Sequence, residues 1–434
     1  MRQLCILQLL VSLLASACDD GGSGLAPDTS AEDFTSDTED SVLPDATADT
    51  EDSALPDATD TVPDTEPDST ELDLIEPPFQ GMAGLAATSD GRVWPLLAPT
   101  GEPFAAREPI SAETRALSLW PAGDCVLGTE VGRQHVVRFG PAPHFAVEDI
   151  WDLGADSWPV AATPLPDSAI VVSLAARPEL IVLANDGSQR TIALPDLDDP
   201  DGDPDADAML FDGEHLLVLL SRLDAQADPD GFDRGDPAVL AVVDPSDGTL
   251  LDTLELPLTD ARPGLVRIDD DSFAVGLAGQ EREDAGGGWF QHAADGAIML
   301  VERGVDGRYV LGPTLVTEEQ LGGGLTHFVM LDDYRGVAMT SHLWGFNGAT
   351  WFQYDPVTAE TTTQRIDEPS GDFAGSRTCL SPDRSVVGVM GRKDFLGRGL
   401  EAVYLFDTTT HAPLPGSPLE LGANSLSCVL TLPR

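Results

Sequence analysis

The stretch Cys379–Val389, Cys-Leu-Ser-Pro-Asp-Arg-Ser-Val-Val-Gly-Val, contains two short apolar segments joined by a tight turn at Pro382-Asp383. The same order of apolar strand, Asp-containing turn and apolar strand returns along the chain. The turn aspartates are Asp90, Asp124, Asp167, Asp212, Asp270, Asp332 and Asp383. Short apolar strands broken by Pro, Gly and Asp, with no long amphipathic helix, predict an all-β fold for residues 78–434.

A second hairpin follows some of these units. It is read at Val243–Gly248, Tyr354–Thr358 and Leu405–Thr410, with a looser copy at Leu183–Gly187. Two hairpins make four strands, which is one blade of a β-propeller. The sequence resembles bacterial seven-bladed propellers with Ser-Pro-Asp-Gly-like and Val-Asp-Pro-x-Thr-Gly-like turns. The prediction is therefore a propeller of seven blades, with six or eight blades, a solenoid or a pair of sandwiches as alternatives.

The two ends of this region predict how the ring closes. The first unit, 82–113, lacks a fourth strand, and one apolar strand, Ser425–Leu432, is left over after the seventh unit. Pairing of the two would remove exposed strand edges and close the ring.

The N-terminus, Met1–Cys18, has the order of a secretory signal. Arg2 precedes an apolar run that is too short to span a bilayer, and small residues then lead to Cys18. A Cys after small residues resembles the lipobox of bacterial lipoproteins, in which that Cys is acylated. The resemblance implies a lipoprotein signal peptide at 1–17 and a lipid anchor on Cys18. It also implies export to the bacterial envelope, at the outer membrane or cell surface, with a periplasm-facing position as a variant. An ordinary signal peptide cut near Ala17 is the alternative.

Residues 18–77 are acidic and contain neither Lys nor Arg. A 12-residue unit, DTEDSVLPDATA at 37–48, is repeated nearly unchanged at 49–60. Like charges, prolines and few large apolar groups predict a disordered tether that holds the 78–434 domain away from the bilayer.

The whole chain has a formal charge of −52, from 75 Asp and Glu against 23 Lys and Arg. Binding to nucleic-acid phosphates needs clustered cations, so the charge excludes a nucleic-acid-binding protein of the usual sort. It also argues against electrostatic docking on an anionic membrane surface.

Two acidic segments on either side of the fourth unit's first hairpin are candidates for a metal site. Calcium takes six to eight oxygen ligands from Asp-rich loops, and a cation would relieve the repulsion among these carboxylates. The predicted Ca²⁺ ligands are Asp199, Asp201, Asp203, Asp228, Asp230 and Asp233. A solvated acidic loop without metal is the alternative.

Aromatic residues in two segments, 277–296 and 340–352, predict a recognition face. Rings on glycine-rich loops stack on sugars or fill pockets of a protein partner. The candidate ligand-binding residues are Trp289, Phe290, His292, His342, Trp344 and Trp351. Trp289 and Trp351 could instead cap the core of the ring.

No catalytic motif is present: the seven histidines have no metal-protease spacing, and there is no nucleophile elbow or phosphate loop.

The leading expectation is a lipid-anchored binding or scaffold protein for a glycan or protein ligand. A lactonase-like, metal-dependent hydrolase is the alternative, with His292, His327 and His342 as candidate ligands. A structural envelope protein is a third reading. An apolar or Arg-lined channel mouth would favour the binding protein. Three or more convergent carboxylate or imidazole groups within metal-bond reach would favour the enzyme.

Cys125, Cys379 and Cys428 remain beyond the signal peptide and the lipid site. Three cysteines allow three pairings, and we expect Cys379–Cys428, because both lie on strands near the closing seam. Three buried thiols are the alternative.

Overall fold

The computed structural model describes the chain in the ranges 80–110, 116–130, 132–155, 157–175, 177–194, 205–222, 236–261, 264–279, 281–283, 290–292, 295–342, 346–366, 377–391 and 400–432. Lipidation at Cys18 and the tether at 18–77 lie outside these residues.

Seven four-stranded antiparallel sheets form the seven blades. Blade I contains β1 (Gly81–Thr88), β2 (Val93–Pro99) and β3 (Ala105–Ala106). Blade II contains β4 (Ser118–Ala122), β5 (Cys125–Glu130), β6 (His135–Phe139) and β7 (Val147–Asp152). Blade III contains β8 (Pro159–Pro164), β9 (Ile170–Leu174), β10 (Glu179–Leu183) and β11 (Gln189–Ala193). Blade IV contains β12 (Ala206–Phe211), β13 (Leu216–Leu220), β14 (Val239–Val243) and β15 (Leu250–Glu255).

Blade V contains β16 (Gly264–Arg267) and β17 (Ser272–Leu277), then a separate hairpin of β18 (Glu281–Glu283) and β19 (Phe290–His292), and then β20 (Ala297–Arg303) and β21 (Tyr309–Thr317). A short helix, α1 (Glu318–Leu321), leads into blade VI. Blade VI contains β22 (Gly324–Met330), β23 (Arg335–His342), β24 (Phe346–Asp355) and β25 (Glu360–Arg365). Blade VII contains β26 (Thr378–Leu380), β27 (Val386–Met390), β28 (Ala402–Asp407) and β29 (Leu419–Glu420).

The last strand of the chain, β30 (Ser425–Thr431), closes the ring. It pairs antiparallel with β1, for example Ala86 with Cys428, and becomes the first, innermost strand of blade I. The first strands of neighbouring blades then lie next to each other all the way around a central channel. The prediction of a seven-bladed propeller closed by its C-terminal strand is confirmed.

One detail of the predicted blade pattern was wrong. Six of the Asp turns join the first and second strands of their blades, as expected. The Asp90-Gly91 turn instead joins β1 and β2, which are the second and third strands of blade I. The reason is the closure itself, because the chain enters the ring at the second strand and supplies the first strand only at its end. The Asp90 turn thus lies with the connections between blades, on what we call the top face, and the other six turns lie on the bottom face.

The core lies between neighbouring blades. Leu217, Leu240, Phe273 and Val275, for example, are fully buried where blades IV and V face each other. Burial of each such side chain is worth about 1.5–3 kcal/mol, so the ring is held by apolar packing between sheets. Within the described ranges, no helix combines the length and apolar character needed to cross a bilayer.

A disulfide bond links blades VII and I at the closing seam, the junction where the last strand of the chain completes the ring. Cys379 of β26 and Cys428 of β30 are bonded, with their Cα atoms 5.6 Å apart, so the expected pairing is confirmed. Gly388 makes room for it, because a Cβ at that position would stand 2.6 Å from the Cys379 sulfur. Cys125 is a free, partly exposed thiol.

Replacing both seam cysteines by alanine should lower the free energy of unfolding by about 2–4 kcal/mol, since the bond constrains a long loop in the unfolded chain. Urea unfolding of the double variant and of wild type measures this, with Cys125→Ala as a control expected within about 0.5 kcal/mol of wild type. Non-reducing peptide mapping should recover the Cys379–Cys428 cross-link. A cross-link that includes Cys125 would contradict the seam geometry.

Candidate functional site

The bottom mouth of the central channel is crossed by one arginine. Arg384 lies in the turn after the first strand of blade VII. Its guanidinium donates to the carbonyl oxygen of Leu331 in blade VI, at 3.0 Å, and to that of Ile268 in blade V. These carbonyls directly follow the first strands β22 and β16. Arg384 therefore ties three blades together at the bottom of the channel.

A second arginine, Arg377, reaches across the channel higher up. Its carbonyl oxygen accepts the backbone N–H of Met390 at 3.0 Å, so its backbone belongs to the inner edge of blade VII. The guanidinium carbon lies 5.6 Å from the ring centroid of Trp120, which is in β4 of blade II. Blade I stands between these two blades in the ring, so the contact joins two blades that are not neighbours. Burial lowers the pKa of the Arg377 guanidinium, and no described carboxylate pairs with it.

His327 of β22 lies next to this arginine. Its Nδ1 accepts the backbone N–H of Thr378 at 3.3 Å and lies 3.0 Å from the Thr378 hydroxyl. An atom that accepts from an N–H carries no proton, so we assign the ring proton to Nε2. Burial, and then the charge of Arg377, lower the pKa of His327 to about 3. The imidazole is therefore neutral at physiological pH.

A buried carboxyl lies on the top face between blades V and VI. Glu318, the first residue of α1, is fully buried. Its carboxylate accepts the backbone N–H groups of Gly296, at 3.1 Å, and Leu325, at 2.5 Å. Burial raises the pKa of Glu318 to about 7; the two backbone donors oppose the rise, and the charges of Asp295 and Asp260 add to it.

This carboxyl predicts a specific pH dependence of stability. The folded pKa of about 7 exceeds the unfolded value, so the folded state binds the proton more tightly. The stabilisation from the protonated group is complete below about pH 4.3 and is lost as the pH rises through 7. Relative to Glu318→Gln, the wild-type free energy of unfolding should fall by at most about 1.4 kcal/mol per pH unit between pH 5 and 7.

Urea unfolding at a series of pH values tests this dependence. The exposed neighbour provides a matched control, because Glu319→Gln should leave the slope unchanged. A constant difference between wild type and Glu318→Gln across the window would contradict the assignment.

The predicted aromatic face is described only in part. Phe290 and His292 lie in β19 and His342 lies in β23, so these segments are hairpins rather than loops. Trp289 and Trp344 lie outside the described residues. Trp351 is in the middle of β24, where it is 5% exposed, packs between blades VI and VII and stacks on the ring of His411 with centroids 4.1 Å apart.

The predicted calcium ligands, Asp199, Asp201, Asp203, Asp228, Asp230 and Asp233, all lie outside the described residues. Both segments are flanked by strand ends on the top face: the first lies between β11 of blade III and β12 of blade IV, and the second between β13 and β14 of blade IV. Nearby, Asp207 accepts a hydrogen bond from the Ser221 hydroxyl, and Asp236 pairs with Arg222 at 2.8 Å. In the part of the chain that the structure describes, no three His, Cys, Asp or Glu side chains form a metal-binding group.

A shallow surface cavity of about 360 Å³ lies on the bottom face of blade VI, away from the channel. Its lining includes Tyr334 and Tyr354, and Arg335, which pairs with Asp332 at 2.6 Å. Its arginine is thus already paired within the cavity, unlike Arg377 in the channel.

Sequence reasoning missed Arg377, Trp120 and Thr378, and it considered His327 only as a metal ligand. One signal was available. Arg377 is a cation in an acidic chain and lies two residues before the strand-turn-strand stretch that matches the propeller turn best.

No family model and no curated protein matches the chain. Solved structures do match. A functionally unknown protein from Desulfotomaculum acetoxidans has a TM-score of 0.53 at 13% identity, over 82% of this chain and 100% of that chain. A protein from Bacteroides uniformis provisionally named 6-phosphogluconolactonase has a TM-score of 0.53 at 12% identity, over 81% of this chain and 99% of that chain. A similarly named protein from Bacteroides fragilis has a TM-score of 0.52 at 13% identity, over 84% and 99%. At these identities the likeness shows the propeller fold alone.

Proposed function

We propose that this chain is an exported, lipid-anchored binding protein that captures a glycan at the top face of its propeller. The anchor rests on the signal and on Cys18, and the acidic residues 18–77 serve as the tether. One observation carries the binding function: a guanidinium with no described partner stands over an indole inside the channel. Fold alone would not assign a function, since propellers host many activities.

The contacts of the channel support entry from the top face. Arg384 crosses the bottom mouth, whereas Arg377 and Trp120 lie above it. The two aromatic segments of blades V and VI belong to the top face, where rings can stack on a sugar that also reaches into the channel.

A glycan array probed with the purified full chain tests this function. Wild type should bind a subset of glycans, and Trp289→Ala or Trp344→Ala should weaken that binding about tenfold or more, because ring stacking on a sugar is lost. Equal binding by wild type and both variants would contradict a role of the aromatic face in binding. If wild type bound no glycan, the proposal that the ligand is a glycan would be contradicted.

Lactone hydrolysis is the second candidate, supported by the fold shared with the two proteins provisionally named 6-phosphogluconolactonase. Turnover of a sugar lactone by wild type that is lost with a chelator would favour it over a pure binding role. His327, one of the candidate metal ligands, accepts the Thr378 N–H at Nδ1 and carries its proton on Nε2, so neither ring nitrogen is free to bind a metal, which speaks against this candidate.

A structural Ca²⁺ between the two acidic segments of blade IV remains part of the proposal. The shared top-face position of the flanking strands supports it. The melting temperature should rise with millimolar Ca²⁺ and fall with a chelator. A melting temperature that Ca²⁺ leaves unchanged would remove the metal.

A further inference from the structure

We infer that the channel site formed by Arg377, Trp120 and His327 binds an oxyanion, the carboxylate or phosphate group of a ligand. The inference rests on the proposed binding function and deepens it by naming the chemical group that the ligand must carry. Three observations support it: an arginine with no described carboxylate partner, neighbouring N–H donors on Trp120 and His327, and the acidic character of the chain around it.

The first observation is the state of Arg377. A guanidinium taken out of water is costly unless a carboxylate or several acceptors face it. Here its pKa is lowered by burial, and the described contact of its guanidinium is the indole face of Trp120. The other channel arginine, Arg384, shows the usual solution, since it donates to two carbonyl oxygens. Arg377 instead is only partly buried, and no described residue accepts a hydrogen bond from its guanidinium.

The second observation is that the surrounding groups are also donors. The indole Nε1 of Trp120 is buried and has no hydrogen-bond partner. The neutral His327 carries its proton on Nε2, because Nδ1 accepts from Thr378. Donors therefore come from blades II, VI and VII, together with one positive charge. Such a set matches a group that offers only acceptor oxygens and a negative charge.

The third observation concerns charge. Residues 78–434 carry 55 Asp and Glu against 22 Lys and Arg, so most arginines are expected to have a carboxylate within reach. Other charged groups of the ring do have carboxylates nearby. At the bottom mouth, Arg384 interacts electrostatically with Asp269 and Asp333. On the top face, Glu318 lies near Asp260 and Asp295. Among the described residues, none of them pairs with Arg377. Among the residues that the structure describes, this cation therefore has no counter-charge from the protein.

Ligand-detected NMR on the purified full chain tests the inference, with glucuronate and glucose as a charged and neutral pair. Saturation transfer should reach glucuronate and not glucose. Inorganic phosphate, followed by ³¹P line broadening, distinguishes a phosphate source from a carboxylate source, and binding of either anion supports the site. If neither anion binds, or if glucose binds as well as glucuronate, the inference is overturned.

Variants assign the site to Arg377. Arg377→Gln should weaken anion binding about tenfold or more, because a charge-assisted hydrogen bond is lost. Arg377→Lys keeps the charge without the planar fork and should retain part of the affinity. Arg308→Gln makes the same charge change on an exposed outer hairpin and should bind like wild type. Equal binding by Arg377→Gln and wild type would overturn the assignment.

Thermal unfolding separates this role from a structural one. Because Arg377 has no described ionic partner, Arg377→Gln should leave the melting temperature unchanged or raise it. A large loss of stability would show that Arg377 holds the fold together and would overturn the inference. The inference would also be overturned if the array showed binding to neutral glycans and Arg377→Gln left that binding intact. In that case the proposed binding function would stand.

Discussion

Replacing Asp212 by alanine should lower the free energy of unfolding by about 3–5 kcal/mol, because it removes a buried carboxylate that three groups contact as donors. The Asp212 side chain is fully buried in the first turn of blade IV. It accepts the backbone N–H groups of Glu214, at 2.7 Å, and His215, at 2.6 Å, and the hydroxyl of Tyr309 from β21 of blade V. The residue thus holds its own turn and joins two blades.

Urea unfolding measures this loss, and the equivalent turn of blade V provides a control. Asp270 has a side chain that is 98% exposed, so Asp270→Ala should change the free energy of unfolding by less than about 0.5 kcal/mol. Combining Asp212→Ala with Tyr309→Phe should cost less than the sum of the two single changes, since they remove one interaction. Strict additivity would contradict the hydrogen bond.

The same carboxylate gives stability a second pH dependence. Burial alone would raise the pKa of Asp212, but the N–H of His215, the Tyr309 hydroxyl and the N–H of Glu214 outweigh it and lower the pKa. A lowered pKa means that the contribution is present above about pH 3.9, the unfolded value, and is lost as the pH falls through the folded value. The difference between wild type and Asp212→Ala should therefore shrink in acid, opposite in direction to the Glu318 dependence.

Replacing Cys18 by serine should abolish lipid labelling and release the chain from membranes, because acyl chains on Cys18 are the proposed anchor and charge does not favour an anionic surface. Radiolabelled palmitate and cell fractionation measure both effects. Cys5→Ser is the matched control, because Cys5 lies in the segment that the proposed signal cleavage would remove, and it should keep the label. Label on Cys18→Ser would contradict the anchor.

The fold could be predicted from the sequence because its turns use local chemistry. In Asp212, Asp332 and Asp407, for example, the carboxylate accepts backbone N–H groups two and three residues later. This bond depends on residue type and spacing alone, so each aspartate marks a hairpin in the sequence. The missing strand of the first unit and the spare strand at the end similarly predicted the closure, and with it the seam disulfide.

The channel site could not be predicted in the same way. Trp120, His327 and Arg377 come from three blades, and no local pattern links them. They meet only because the ring brings first strands of distant segments to one axis. Trp351 shows the converse: its sequence neighbourhood resembles a binding loop, but the pairing of β24 with β23 and β25 places it inside the packing between blades.

A crystal structure of the full chain grown with glucuronate tests the central claim most directly. We predict a carboxylate in the channel within hydrogen-bond distance of the Arg377 guanidinium, with the indole of Trp120 beneath that guanidinium. A channel without ligand, in which Arg377 pairs with a carboxylate of the protein itself, would contradict the account.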